Sequence, residues 1–146
     1  MAGSLERWKV VSVVETVLIV DNDDSTRDAL KLVLELNGYR VVEALHGIEA
    51  LQILGEWGDH IQVAICADEL PDMTAGQWRG QMRFLGPDIP SLILSERDRE
   101  EIADMPVGIW CGGLPSKPPV PTRLMERIRA VLDERFFATR ARATAA

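Results

Sequence analysis

The sequence predicts a doubly wound α/β domain, in which a five-stranded parallel sheet is covered by helices on both faces. Two observations lead to this fold class. Short runs of apolar residues, typical of strands buried on both faces, alternate five times with segments whose apolar residues recur at helical spacing. The chain of 146 residues has the length of one domain, and 47% of its residues are hydrophobic, which is enough for a core.

The first core strand is predicted at Val17–Val20, a run of branched apolar residues. From Ser25 the apolar residues take helical spacing until Asn37-Gly38, a common helix stop. The same two patterns predict strands at Tyr39–Ala44, Val63–Ala67, Ser91–Leu94 and, weakly, Ile109–Leu114, and helices at Ile48–Leu54, Gln77–Leu85, Glu96–Met105 and Pro121–Phe137.

Composition argues against several classes of partner. The net charge of −7 disfavours a nucleic-acid or anionic-membrane surface, because such surfaces are usually bound by basic proteins. No run approaches the roughly 20 apolar residues that a membrane span requires. Cys66 and Cys111 lie in apolar stretches, and the sequence shows neither a disulfide-rich pattern nor a signal peptide. We therefore expect a protein of the reducing cytoplasm that binds neither nucleic acid nor membrane.

An acidic cluster follows the first predicted strand. In doubly wound sheets, ligands bind at the carboxyl ends of the strands, so the segment Asp21–Asp24 is expected at the binding edge. Asp23 and Asp24 are predicted to cap the first helix, where a carboxylate is favourable. Asp21, directly at the end of a buried strand, is the candidate site residue.

Four segments in this order carry a family resemblance: "VLIVDNDDSTRDALKLVLELNGYRVVEALHGIEAL", "VAICADELPDM", "SLILS" and "LPSKP". Together they resemble the receiver domain of two-component response regulators, from about Thr16 to Leu132. The resemblance implies a flavodoxin-like fold. It also implies an aspartate that accepts a phosphoryl group from a histidine kinase or phosphotransfer protein, with Mg²⁺ neutralising the charge on the reacting oxygens.

The resemblance also implies roles for single residues. Asp21 and Asn22 take the positions of the two acidic residues that hold Mg²⁺, and Asn22 keeps an oxygen ligand but loses a negative charge, so we expect weak metal binding. Ser95 matches the hydroxyl that contacts the phosphoryl group, and capping of the following helix is an equal alternative for it. Lys117, before Pro118, matches the lysine that pairs with another phosphoryl oxygen. This lysine stands out in a chain with 13 arginines and 3 lysines.

The position of the phosphoryl acceptor is ambiguous. Counting back from "LPDM" places Ala67 at the acceptor position, which would remove the nucleophile, whereas counting back from Gly76 places Asp68 there. A slip of one residue normally turns a side chain to the other face, although the last residue of a strand can be redirected by its loop. We favour Asp68 as acceptor and metal ligand and keep Ala67 as the alternative.

Two functions remain open at this point. The first is an atypical stand-alone receiver that accepts a phosphoryl group on Asp68, and the second is a pseudo-receiver that serves only as an interaction or dimerisation domain. We expect an N-terminal extension at 1–15, the receiver-like domain at 16–137 and a tail at 138–146. A surface around Phe137 and the helix Glu96–Met105 is predicted to contact a downstream partner or a second copy.

Overall fold

The sheet has five parallel strands in the order β2-β1-β3-β4-β5. The computed structural model describes residues 14–85, 89–94, 110–114 and 124–133. The strands are β1 (Thr16–Val20), β2 (Arg40–Ala44), β3 (Val63–Ala67), β4 (Ser91–Leu94) and β5 (Trp110–Leu114). The predicted doubly wound, flavodoxin-like fold is confirmed, because the strand order reverses beside β1 and every strand pair is parallel.

Helices cover the sheet on both sides. They are α1 (Asp24–Leu36), α2 (Gly47–Trp57), α3 (Ala75–Met82) and a C-terminal helix over residues 124–133. Short 3₁₀ turns follow α2 at Gly58–His60 and α3 at Arg83–Leu85. The helix predicted at Gln77–Leu85 thus begins two residues earlier and changes to 3₁₀ geometry in its last turn.

β1 separates two apolar clusters, because successive side chains of a strand point to opposite faces. Val17 and Ile19 pack with α1 and the C-terminal helix in one cluster, and Leu18 and Val20 pack with α2 and α3 in the other. All five residues of β1 are buried, as are all five of β3. This is why both strands appear in the sequence as unbroken apolar runs.

The helix ends show which local signals the chain uses. Thr74 and Gln77 form a reciprocal capping box at the start of α3. α1 ends before Gly38, whose φ of 89° lies in the left-handed region that glycine adopts most easily. Asp23 takes the N-cap position of α1 and Asp24 lies in its first turn, as predicted, but the Asp23 carboxylate makes no capping hydrogen bond to the helix backbone. Its carboxylate accepts a hydrogen bond from the Thr26 hydroxyl at 2.5 Å instead.

The C-terminal helix is tied to the start of β1 by a two-pronged ion pair. The guanidinium of Arg129 donates to both carboxylate oxygens of Glu15, at 3.1 and 3.2 Å, and its Nε donates to Asp133 at 3.3 Å. The paired geometry matches a planar guanidinium to a planar carboxylate. Glu15, expected at the end of an N-terminal extension, therefore contacts the last described helix.

Several predicted features lie outside the described residues. These are the first thirteen residues, Ser95, the helix Glu96–Met105, Lys117, Pro118, Phe137 and the tail 138–146. Within the described part, no helix is both long enough and apolar enough to cross a membrane.

Two leucines on α1 offer a matched test of the packing. Leu30 is buried between α1 and the sheet, whereas Leu32 is 62% exposed on the same helix. We expect Leu30→Ala to lower the free energy of unfolding by about 2–5 kcal/mol, since it leaves a cavity, and Leu32→Ala to change it by less than about 0.5 kcal/mol. Chemical denaturation of both variants measures the difference, and equal losses would contradict the assigned packing.

Candidate functional site

Asp21 is fixed at the carboxyl edge of the sheet, as predicted from its place after β1. Its backbone N–H donates to the carbonyl of Ala44 at 3.1 Å, which extends the pairing of β1 with β2. Its carboxylate Oδ1 accepts from the N–H of Asp23 at 2.9 Å, and its carbonyl accepts from the Arg27 guanidinium at 2.8 Å. The residue is only 2% exposed, so this carboxylate has a defined position.

Asn22 follows Asp21 but differs from it in exposure. Its side chain is exposed, whereas that of Asp21 is buried. The two predicted metal ligands are adjacent in the chain, and only one of them lies inside the fold. Asn22 is therefore the position at which the charge of the edge can be changed with the least disturbance of the core.

The register of β1 and β3 places Ala67 beside Asp21. Val20 is paired with Cys66, so the next residues, Asp21 and Ala67, are level with each other. Ala67 is the last residue of β3 and is 1% exposed. At the level of the buried carboxylate, the neighbouring strand thus contributes a methyl group.

Asp68 comes one residue later and is half-buried. Its N–H donates to the carbonyl of Leu94 at 3.0 Å, so the pairing of β3 with β4 continues through Asp68. Cys66 and Ala67 both pack in the cluster toward α2 and α3, so Asp68 follows a strand end that no longer alternates strictly between the two faces. The structure brings Asp21 and Asp68 to one edge, and Ser95 and Lys117 lie outside the described residues.

The loop from β3 to α3 is held by backbone hydrogen bonds along its length. The carbonyl of Asp68 accepts from the N–H of Ala75 at 2.9 Å, and that of Met73 accepts from Leu70 at 2.9 Å. Glu69 and Thr74 form an antiparallel bridge between these two contacts. The loop is therefore a closed turn, and α3 begins directly beside the end of β3.

Asp72 clamps this loop to the start of α2, a contact that sequence reasoning missed. Its two carboxylate oxygens accept from the N–H groups of Gly47 and Ile48, at 2.8 and 2.9 Å. Partial burial raises the pKa of the Asp72 carboxyl, but the hydrogen bonds from Ile48 and Gly47 outweigh it, so the pKa lies below its ordinary value. The two partners are 24 and 25 residues away, and no local pattern could have indicated the contact.

Gly47 and Met73 make the clamp tight. A Cβ at position 47 would lie 2.5 Å from the Met73 sulfur, closer than any real carbon approaches. At the same end of α2, His46 Nδ1 accepts from the N–H of Glu49 at 3.2 Å and lies 3.6 Å from the Asp72 carboxylate. The β2–α2 and β3–α3 loops thus form one unit at the carboxyl edge.

Cys66 is a buried thiol that lies close to three charged groups. Burial raises the pKa of this thiol, the charges of Asp21 and Asp68 raise it further, and Arg79 acts in the opposite direction. Its Sγ donates to the carbonyl of Ala67 at 3.2 Å. Cys66 is therefore a packing residue rather than a reactive thiolate. Arg79, which is 2% exposed on α3, was not predicted as part of the site.

The oxygen donors at the edge suit Mg²⁺ in type, because this ion prefers carboxylate and amide oxygens to nitrogen or sulfur. Asp21 and Asn22 would hold it, and the ion would neutralise charge on phosphoryl and carboxylate oxygens. The negative charge of the pair is one unit lower than two acidic residues would give. Among the described residues, no three His, Cys, Asp or Glu side chains are grouped as a metal site.

Solved structures with this fold place the chain among receivers. It is 30% identical to a putative response regulator from Chloroflexus aurantiacus, covering 83% of this chain and 99% of that one, with a TM-score of 0.70. It also shares the fold, at a TM-score of 0.73 and 18% identity, with the CheX–CheY–BeF₃–Mg complex from Borrelia burgdorferi, covering 80% of this chain and 88% of that one.

A curated relative agrees with the solved structures. The response regulator MprA of Mycobacterium leprae is 33% identical over 119 residues, which are 80% of this chain and 50% of the relative. The chain thus spans about half the length of the curated relatives it matches. No family model matches the sequence.

The five-stranded parallel sheet with a buried aspartate after its first strand is a flavodoxin-like α/β fold. The chain belongs to the receiver-domain family of response regulators. Its homologues support a receiver role in a phosphorelay, and its receiver neighbours suggest Mg²⁺ binding within the family.

The charge at position 22 gives a test of the metal site. We expect Mg²⁺ to bind the wild-type protein weakly and Asn22→Asp to strengthen binding by about 1 kcal/mol or more, because a carboxylate attracts a divalent ion at an effective dielectric constant near 20. Calorimetric titration measures both affinities. An unchanged affinity in the variant would mean that residue 22 is not a ligand.

The hydrogen bonds that Asp72 accepts from α2 predict that the stability of the protein depends on pH. Because its pKa is lowered by folding, the stabilisation from Asp72 is fully present above the unfolded pKa of about 3.9 and is lost as the pH falls through the lower folded value. Asp72→Asn should therefore lower the melting temperature at pH 7, and the difference from wild type should shrink below about pH 4. The exposed Asp59, changed to Asn, is the control. A difference independent of pH would contradict the clamp.

Proposed function

We propose that this chain is an atypical receiver domain that acts through protein contacts without forming an aspartyl phosphate at the end of β3. The observation that supports this most directly is that Ala67 lies level with Asp21, whose carboxylate is buried. A phosphoryl acceptor must present an oxygen to phosphorus. The alanine methyl group cannot do so.

The neighbouring carboxylate is poorly suited to replace it. Asp68 is one residue further along the chain than Ala67 and therefore lies past the level of Asp21. Its backbone is held on one side by Leu94 and on the other by Ala75, at 3.0 and 2.9 Å. These two bonds limit how far the backbone can shift to bring Asp68 to the level of Asp21.

Phosphoryl acceptance on Asp68 is the second candidate function. The charges of Asp68 and Asp21 both act on the Cys66 thiol, which supports their placement at one edge. In this mechanism an Asp68 oxygen bonds to the phosphorus of a phosphohistidine and the histidine nitrogen leaves. Ser95 and Lys117 would contact the transferred group, and Asp21, Asn22 and Asp68 would hold Mg²⁺.

Both candidates act on other proteins. Response regulator homologues suggest a histidine kinase or phosphotransfer protein as one partner, and a cytoplasmic location follows from such a role. A downstream protein or a second copy would contact the surface predicted around Phe137 and the helix Glu96–Met105. Under the first candidate, partner binding does not depend on phosphorylation.

Phosphoryl transfer from a small acyl phosphate with Mg²⁺, followed by intact mass spectrometry, distinguishes the candidates. We expect wild type to gain no phosphoryl group and Ala67→Asp combined with Asn22→Asp to gain one, because the double variant restores an acceptor and a second acidic ligand. Beryllofluoride with Mg²⁺ serves as a second probe. It should raise the melting temperature of the double variant only, because a ligand at a hundredfold excess over its Kd adds about 2.7 kcal/mol to the free energy of unfolding.

The control variant is Asp68→Asn. If wild type gains a phosphoryl group and Asp68→Asn does not, the second candidate is correct. A phosphoryl group retained in Asp68→Asn would place the acceptor elsewhere and overturn both assignments.

A further inference from the structure

Arg79 is a buried charge that neither candidate function uses. We propose that Arg79 is a built-in cation of the acidic edge, whose charge compensates Asp21 and Asp68 from within the core. It would take the electrostatic role that a divalent cation has in a metal-loaded receiver. This inference goes beyond the proposed function and does not depend on it, because the compensation could exist whether or not the edge accepts a phosphoryl group.

The helix geometry directs Arg79 toward the edge. The N–H of Ala75, the first residue of α3, donates to the carbonyl of Asp68 at 2.9 Å, so α3 starts beside Asp68. Arg79 follows Ala75 by four residues and therefore lies on the same face, one turn along. Helical side chains tilt toward the helix N-terminus, so a long side chain at position 79 can reach back over the small Ala75 toward the end of β3.

The burial of Arg79 requires compensation. The residue is 2% exposed, and a buried charge that is not balanced by opposite charge is costly. Asp21, Asp68 and Arg79 each take part in polar or electrostatic interactions. Asp21 and Asp68 follow the neighbouring strands β1 and β3, so both lie at the edge where Ala75, in the first turn of α3, binds the carbonyl of Asp68.

A resident cation would reverse the effect that removal of one carboxylate has on the stability of the protein. Two carboxylates at a metal-free edge repel each other, so removing one charge should stabilise the protein. If Arg79 compensates them, removing one carboxylate leaves the guanidinium with less opposite charge, and the protein becomes less stable. The same resident charge opposes an incoming divalent ion.

The experiment compares Asp68→Asn in two backgrounds, wild type and Arg79→Gln, by urea denaturation without metal. In wild type we expect the unfolding equilibrium constant to rise about tenfold on Asp68→Asn. In the Arg79→Gln background the same change should leave the constant unaltered or lower it. Asp21→Asn provides a second, independent cycle with the same expectation.

The controls separate charge from packing. Arg79→Lys keeps the charge, so Asp68→Asn should still destabilise that variant. The exposed Arg40, changed to Gln, makes the same chemical change away from the edge and should add to Asp68→Asn without coupling. With Mg²⁺ present, Arg79→Gln should gain more stability from the ion than wild type does.

Each result decides the inference. Equal effects of Asp68→Asn in both backgrounds, with additive cycles, would overturn it. If Arg79→Gln does not fold, the sign of Asp68→Asn alone decides: destabilisation supports the built-in cation, and stabilisation or no change overturns it. These readouts do not involve phosphoryl transfer, so a failure here leaves the mass-spectrometric test of the proposed function unaffected.

Discussion

The pairing register of β1 with β3 is the constraint on which the site depends. Val20 opposite Cys66 sets Asp21 level with Ala67, and no side-chain adjustment can change that level without breaking the central ladder of the sheet. Both strands are buried on both faces, so a slip by one residue would turn every apolar side chain into the wrong cluster. The packing of the whole domain therefore fixes which atoms face the buried carboxylate.

The fold could be predicted from the sequence because it depends on two periodicities that are local. The unbroken runs of β1 and β3 and the stripe that includes Leu30 and Leu34 are visible within single segments. The end of β3 could not be settled in this way, since "LPDM" and Gly76 imply different lengths for one loop. Which residue stands opposite Asp21 is a property of strand pairing, and pairing joins segments about 46 residues apart.

The charged residues near the edge also divide into those that the sequence could predict and those that it could not. Asp21 could be identified from its place after an apolar run, because the residue that follows a buried parallel strand lies at the edge where ligands bind. Arg79 gave no such signal, since an arginine on a helix is normally solvated and its burial results from the packing of α3 against β3. Asp72 resembled an ordinary loop residue, yet it accepts two backbone hydrogen bonds from α2. Long-range electrostatic contacts of this kind follow only from the assembled fold.

The close approach of Met73 to Gly47 has a consequence for how this protein can vary. Any side chain at position 47 would meet the end of the Met73 side chain, so that flexible side chain would have to move aside. In related sequences we expect positions 47 and 73 to covary, so that a larger residue at one position accompanies a smaller residue at the other.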